Sequence, residues 1–212
     1  DKMAEHSHRL LGMKIGLLSI GLFLWTHLRE SRDWVRTLAR VLLWVVILQG
    51  LLGGARVRFD QLNIMSDHNL LAQSFAVVHA CGAMVVLGIL VTLTLASTRR
   101  WIEASAGLNV QQPTGVKRWG IIATVSIFLQ ILVGAIMRHA DAGLALVKFP
   151  MSTATNWLPT YWNFDVSVHF AHRIGAILVT VILLVFLCKL WGSPTAKRAL
   201  GHGALLLAFI LG

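Results

Sequence analysis

The chain has 212 residues, of which 56% are hydrophobic and 13% are charged, and its mean hydropathy is +0.71. This composition excludes an ordinary soluble domain and indicates an integral membrane protein whose first partner is the lipid bilayer. The formal net charge of +10 does not indicate nucleic acid, because most lysines and arginines lie in short clusters between apolar runs, where membrane topology explains them.

Five apolar runs are long enough to cross a bilayer, which takes roughly 20 residues. They cover residues 10–28, 34–55, 70–98, 119–137 and 169–191. A sixth run, residues 204–212, has only about half of that length. We therefore predict an all-α polytopic membrane protein with about six helices present, and we expect the chain to be a fragment of a longer protein.

Basic residues between the runs predict the orientation of the helices. Arg29, Arg32, Arg36 and Arg40 crowd a predicted short loop after the first run. Cytoplasmic loops carry an excess of lysine and arginine, so this loop is predicted to lie inside. The protein is then an integral protein of a bacterial cytoplasmic membrane.

One short motif occurs twice. Residues 5–9 (EHSHR) stand at the first run and return as residues 169–173 (HFAHR) at the fifth. Helix positions three residues apart share a face, so the first and fourth residues of each motif point the same way. His8 and His172 are 164 residues and four helices apart, and an even number of crossings preserves direction. Both motifs are therefore predicted toward the outer face, in two pseudo-repeated four-helix bundles.

Histidines within the predicted spans indicate haem ligation. A histidine in a lipid-spanning helix is costly to bury and usually faces the bundle interior with a partner. His8 precedes Arg29 by 21 residues and His79 precedes Arg99 by 20, which places both about 30 Å from the inner boundary. Two imidazoles at one depth on facing helices are the arrangement for bis-His axial ligation of a haem iron.

The repeat also predicts the domains. Residues 1–100 would form the first four-helix half, with its first helix missing, and hold the candidate reactive haem site. Residues 101–212 would form the second half, truncated in its third helix, and hold a candidate auxiliary haem b site ligated by His172. The repeat partner of His79 would lie near position 243, roughly, beyond this chain.

Residues that flank the histidines support a haem site. Gly12, Gly16, Gly82 and Gly175 lie about one or two turns from a candidate ligand, and small residues there would leave room for a flat macrocycle. The alternative is that they only allow close packing of helices in lipid.

The charged residues of the motifs suggest further roles. Arg9 and Arg173, each next to a candidate ligand, are candidates to pair with haem propionates, although interfacial arginines also anchor helices by snorkelling. Glu5 is the candidate catalytic residue, because a carboxylate one turn from an iron ligand can relay protons or orient a substrate. The second motif has His169 at that position, and this asymmetry suggests one reactive and one auxiliary haem.

The motifs resemble those of the haem A synthase family. The matching stretches are residues 5–9 (EHSHR), 49–57 (QGLLGGARV), His79, 134–150 (GAIMRHADAGLALVKFP) and 169–176 (HFAHRIGA). The resemblance implies eight helices in two four-helix halves, each of which holds a haem between two histidines.

Carried over by position, the resemblance implies specific roles. His8 and His79 would be axial ligands in the first half, His172 would ligate the second haem, and Glu5 would match the glutamate of the family's ExxHR motif. The implied reaction converts the C8 methyl of haem O to a formyl group, with haem A as the product, in support of terminal oxidase assembly. The implied partners are haem O synthase and an unidentified electron donor, and a homo-oligomer is left open.

Two other functions compete with this interpretation. A non-enzymatic di-haem b-type cytochrome that exchanges electrons with quinone would use the same paired histidines. A proton-coupled transporter would use the intramembrane His, Lys and Glu residues as a proton path, but the sequence has no Pro-broken helices to support it.

Overall fold

The structure is a computed structural model that describes residues 2–62, 70–99, 101–103, 114–149, 152–153 and 156–191. It has five long helices, α1 (Lys2–Arg29), α2 (Asp33–Leu62), α3 (Leu70–Ala96), α4 (Thr114–His139) and α5 (Phe164–Trp191). Each of the five contains a stretch long and apolar enough to cross a membrane, and no strand occurs in the described ranges. The predicted all-α polytopic membrane class is confirmed. The sixth predicted run lies outside the described residues.

The helices extend beyond the apolar runs that predicted them. Arg36 and Arg40 lie on α2, so the expectation that they sit in a loop is wrong, and only residues 30–32 link α1 to α2. Arg56 and Arg58, which follow the second apolar run, lie on the same helix, because α2 continues to Leu62. A helix satisfies its own backbone hydrogen bonds, and long basic side chains can extend toward water, so a helix need not end where the apolar run ends.

The chain divides into two compact units, Asp1–Asn109 (unit 1) and Val110–Gly212 (unit 2). Unit 1 contains α1, α2 and α3, whereas unit 2 contains α4, α5 and a short 3₁₀ turn at Ala142–Leu144 between them. The division predicted at residue 100 falls in the same connection between α3 and α4.

In unit 1, α2 is the central helix and packs against both α1 and α3. Its buried core consists of Val35, Ala39 and Leu42 on α2 and Leu93 on α3, and Leu22 of α1 packs against this cluster. These residues lie near the link between α1 and α2. We call this the link end of unit 1, and the opposite end, which holds His8 and His79, the histidine end.

The link end is fastened by one arginine. Arg32 forms a bidentate ion pair with Glu30, with nitrogen–oxygen distances of 2.9 and 2.7 Å, and donates a hydrogen bond of 2.9 Å to the carbonyl of Ala96 on α3. The Arg32 guanidinium and backbone N–H lower the pKa of the Glu30 carboxyl from 4.5 to about 2. The α1–α2 link is thereby joined to the end of α3.

Unit 2 is a hairpin of two antiparallel helices. The chain leaves α4 through Asp141, whose φ of 55° lies in the left-handed region, where aspartate is tolerated better than most residues. It enters α5 through Asn163, whose side-chain oxygen accepts a 2.8 Å hydrogen bond from the Val166 N–H, as expected for an N-cap. Both ends of the connection are therefore set by local sequence.

Candidate functional site

The imidazoles of His8 and His79 lie next to each other at the histidine end of unit 1. Their ring centres are 6.2 Å apart and their planes are at 87°. A metal-bound imidazole nitrogen lies about 2 Å from its metal and the ring centre about 1 Å farther, so two rings on opposite sides of one metal have centres about 6 Å apart. The two histidines that were predicted to share one depth are neighbours, and their separation suits one iron between them. Ligation itself stays a prediction.

A gap between α1 and α3 surrounds these rings. Both helices pack on α2, yet no Cα atom of α1 lies within 8 Å of a Cα atom of α3. Directly packed helices have axes about 8–10 Å apart, so these two helices meet only through long side chains such as His8 and His79. A Cβ added at Gly12 or Gly16 would meet no atom within 4 Å. The glycines of α1 thus leave space beside His8 for a flat ring system.

His79 packs against a glycine of the neighbouring helix. A Cβ added at Gly53 of α2 would lie 3.2 Å from Cε1 of His79. In the opposite direction, a Cβ added at Gly82 of α3 would lie 1.9 Å from Nε2 of Gln49. A polar side chain of each helix therefore packs against a glycine of the other. Nδ1 of His79 and Oε1 of Gln49 are both buried and have no hydrogen-bond partner among the described residues.

Unit 2 repeats this arrangement around His172. A Cβ added at Gly134 of α4 would lie 2.9 Å from Cε1 of His172, and one added at Gly175 of α5 would lie 2.2 Å from Oε1 of Gln130. The amide nitrogen of Gln130 lies 3.1 Å from Nδ1 of His172 and donates a 2.8 Å hydrogen bond to the backbone carbonyl of the same residue.

The glycines after the histidines therefore have a different role from the one expected. Gly82 and Gly175 were expected to leave room for a macrocycle, but each is covered by a glutamine side chain of the adjacent helix. That interpretation is wrong for these two positions, because the space that the missing Cβ leaves is already filled. Of the four flanking glycines, only Gly12 and Gly16 on α1 face open space.

Glu5 and Arg9 form an ion pair with each other. They are one turn apart on α1, their charged atoms are 2.5 Å apart, and their side chains are 56% and 64% exposed, respectively. The carboxylate stands on the turn before His8, as the spacing predicts. Arg9, expected to face a propionate, is instead engaged by Glu5 within the described residues.

His169 and Arg173 serve the connection between α4 and α5. His169 is buried, and its Nδ1 accepts a hydrogen bond from the Leu146 N–H at 3.2 Å. Arg173 contacts Nε2 of His169 at 3.2 Å and donates hydrogen bonds of 2.6 Å to the carbonyls of Leu146 and Lys148. The first motif thus carries an exposed ion pair, whereas the second fastens a loop. The predicted asymmetry between Glu5 and His169 has this structural counterpart.

Gln49 and Gln130 are the site residues that sequence reasoning missed. Both stand in stretches that echo each other, QGLLGG and QILVGA, in which a glycine follows the glutamine by four residues. The candidate ligands His79 and His172 are each followed by a glycine three residues later. The paired spacing of Gln-x-x-x-Gly and His-x-x-Gly was the available signal.

The family model described as cytochrome oxidase assembly protein (COX15-CtaA) matches residues 1–212. The chain belongs to this family. The resemblance that the motifs suggested is thereby confirmed at the level of the family.

Relatives named "Heme A synthase" match most of the chain. The protein of Shouchella clausii is 30% identical over 94% of this chain and 62% of its own length. Those of Symbiobacterium thermophilum and Halalkalibacterium halodurans are 30% and 28% identical, over 92% and 88% of this chain and 60% and 58% of their lengths. The chain thus spans about three fifths of the curated relatives that it matches. No solved structure matches it.

Proposed function

We propose that the full-length protein is a haem A synthase-type membrane oxidoreductase, which oxidises the C8 methyl of haem O to a formyl group for terminal oxidase assembly. The single observation that carries the proposal is the pair of imidazoles of His8 and His79, with centres 6.2 Å apart across the gap between α1 and α3. Membership of the cytochrome oxidase assembly family supports it.

In this proposal the residues of unit 1 hold the substrate. His8 and His79 would bind the iron of haem O, and Gly12 and Gly16 would leave space for the porphyrin along α1. Because both imidazoles would occupy the iron, the porphyrin itself would be the molecule oxidised. The apolar helix faces would keep water away from the methyl group, and an outside donor would supply the electrons for the successive hydroxylations.

Glu5 is proposed as the group that moves protons at this site. It stands one turn from His8, and Arg9 holds its carboxylate by an ion pair. Its exposure allows exchange of protons with the aqueous side, and a carboxylate can both accept and release them. Arg9 is also the proposed contact of a haem propionate, which would then share the guanidinium with Glu5.

Unit 2 is proposed to bind an auxiliary haem b. His172 would be one axial ligand, and Arg173, adjacent to it, would contact a propionate. A bound haem b supplies reversible one-electron chemistry. The second ligand is proposed to lie in the part of the full-length protein beyond residue 212. Haem O synthase, as supplier of the substrate, and an electron donor are the proposed partners, and the histidine motifs are proposed to face the outer side of a bacterial cytoplasmic membrane.

Haem extraction from cells that make haem O tests the proposal. The full-length protein is expected to yield haem A, and Glu5→Ala is expected to lower haem A by about 100-fold or more while bound haem persists. His8→Ala and His79→Ala are expected to remove the haem of unit 1. Glu103→Ala, which removes another exposed carboxylate, is the matched control and should retain full haem A formation.

The outcomes separate the competing functions. Bound haem without any haem A, in cells that supply haem O and an oxidase pathway, would support the non-enzymatic di-haem cytochrome and overturn the synthase proposal. A purified full-length protein with no haem absorption band would overturn both and favour the transporter. Full haem A formation by the Glu5 variant would remove Glu5 from the mechanism.

A further inference from the structure

Two helix pairs, α2–α3 in unit 1 and α4–α5 in unit 2, share one pattern of contacts. In each pair a glutamine of the first helix covers a glycine of the second, and a histidine of the second covers a glycine of the first. The histidine and the covered glycine are three residues apart in both pairs, and so lie on one face of the helix. The glutamine amide is consequently held beside the imidazole, next to the backbone of the helix that carries it.

The two glutamine amides are oriented differently relative to the imidazoles beside them. In unit 2 the amide nitrogen of Gln130 lies 3.1 Å from Nδ1 of His172, and the amide oxygen lies over Gly175. In unit 1 the amide nitrogen of Gln49 lies over Gly82, so the amide is turned the other way. There the amide oxygen of Gln49 and Nδ1 of His79 are both buried, and neither has a hydrogen-bond partner in the part of the chain that the structure describes.

These two unpartnered atoms are chemically complementary. Oε1 of Gln49 can only accept a hydrogen bond, and Nδ1 of His79 can donate one when it carries the ring proton. A buried polar atom left unpaired is costly, and a bond between these two would satisfy both. The terminal torsion of glutamine has a broad, roughly two-fold profile, which lets the amide turn toward the ring.

The same bond determines which imidazole nitrogen can bind a metal. A neutral imidazole has one N–H and one free lone pair, and the partner of the N–H sets the tautomer. When Nδ1–H donates to an amide oxygen, the lone pair of Nε2 is left for the iron. Metal-ligating histidines almost always have such a partner, and it also raises the basicity of the ligand.

We propose that Gln49 is a positioning residue, which accepts a hydrogen bond from Nδ1–H of His79 and so directs Nε2 of this histidine to a haem iron. The inference rests on the proposed haem ligation by His79. It adds a requirement for an amide oxygen on α2. It also explains the glycine at position 82, since any side chain there would displace the amide.

Redox titration of the haems in the full-length protein tests the inference. Gln49→Leu should retain about 10-fold less haem at the unit 1 site and raise the midpoint potential of the haem that remains. Gln49→Glu has nearly the same shape and should lower the potential, because a carboxylate accepts the Nδ1–H bond more strongly and makes the ligand more basic.

Two glycine variants test the same contact without changing the glutamine. Gly82→Ala should displace the amide of Gln49 and shift the potential upward, as Gln49→Leu does. Gly88→Ala on the same helix is the matched control, since a Cβ at that position meets no atom within 4 Å. Wild-type potentials and spectra in Gln49→Leu, Gln49→Glu and Gly82→Ala would overturn the inference.

The readout separates this inference from the proposed function. Opposite shifts in the Leu and Glu variants of a protein that binds haem but forms no haem A would support the positioning role and overturn the synthase proposal. Haem A formation with unshifted potentials in all variants would support the synthase proposal and overturn the positioning role. A wild-type protein that binds no haem would overturn both. If Gln49→Leu does not accumulate in the membrane, the near-isosteric Gln49→Glu decides the question alone.

Discussion

Arg32 shows how a single, mostly buried side chain at the link end stabilises unit 1. Its guanidinium makes two hydrogen bonds to Glu30 and one to the carbonyl of Ala96, and its side chain is only 24% exposed. A bidentate arginine–carboxylate pair is strong, and it also fixes the orientation of the two side chains. The carbonyl at the end of α3 has no intrahelical donor available, so Arg32 also acts as a cap for that helix.

Glu30→Gln is predicted to destabilise unit 1 in a pH-dependent way. The folded-state pKa of Glu30 is about 2 against an ordinary value of 4.5, so its ionised form stabilises the fold above pH 4.5 and this contribution is lost as the pH falls toward 2. We expect a loss of about 1 kcal/mol at pH 7, reduced by partial exposure to solvent. The measurement is equilibrium unfolding in detergent at several pH values.

The matched control for this prediction is Glu103→Gln, which changes an exposed carboxylate. Its stability should equal that of the wild type throughout. An unfolding difference between the Glu30 variant and the wild type that stayed constant from pH 7 down to pH 2 would contradict the assigned cause.

At the scale of the helix pair, glycine and histidine together set how closely α2 approaches α3 and α4 approaches α5. A Cβ at Gly53 would lie 3.2 Å from His79, and one at Gly134 would lie 2.9 Å from His172. Real Cβ contacts are rarely this short, so an alanine at either position must move the imidazole or separate the helices. Because lipid is as apolar as a helix surface, such close approach between helices depends on small residues.

Gly53→Ala and Gly134→Ala are therefore predicted to weaken haem binding at units 1 and 2, respectively, with the larger effect at Gly134. A displaced ligand nitrogen should lower haem retention by about 10-fold or more. Gly54→Ala is the neighbouring control, because a Cβ there meets no atom within 4 Å and alanine favours the helix by about 1 kcal/mol. Haem content and the visible spectrum of the purified full-length variants are the measurements. Equal haem retention in the Gly53 and Gly54 variants would contradict the packing argument.

At the scale of the whole molecule, each candidate site is built within one unit. His8, His79 and Gln49 belong to unit 1, whereas His172 and Gln130 belong to unit 2. No described side chain is shared by the two sites. The division of the chain into two compact units thus coincides with a division of the candidate ligands.

Substitutions in the two units are consequently predicted to act separately. His79→Ala should remove the unit 1 haem and leave the spectrum and potential of the unit 2 haem unchanged, and His172→Ala should do the opposite. The measurement is haem stoichiometry with redox titration of the full-length protein. Loss of both haems from either single variant would show that the sites depend on each other.

Much of this organisation could be predicted from the sequence, for particular physical reasons. Crossing a bilayer requires long apolar helices, so the runs identified α1 to α5, and counting residues from Arg29 and Arg99 placed His8 and His79 at one depth. The ends of α2 and the pairing of Glu5 with Arg9 could not be predicted in this way. They depend on where charged side chains find partners in three dimensions, which hydropathy does not record.

The sequence also could not predict that glutamine side chains cover Gly82 and Gly175. A glycine after a ligand shows only that a space exists, not which group fills it. The rotation of one membrane helix relative to its neighbour is weakly encoded by apolar pattern, because lipid and protein interior are both apolar. Only the facing helix could reveal that the space holds an amide.

The uneven packing of α1 has a mechanical consequence. Its buried contacts with α2 are concentrated at the link end, where Leu22 meets the core and Arg32 closes the turn. His8 stands about 27 Å along the same rod from Thr26, so a swing of about 2° about that end carries the imidazole about 1 Å. The position of the histidine end of α1 is therefore the feature of unit 1 that depends most strongly on the angle between α1 and α2.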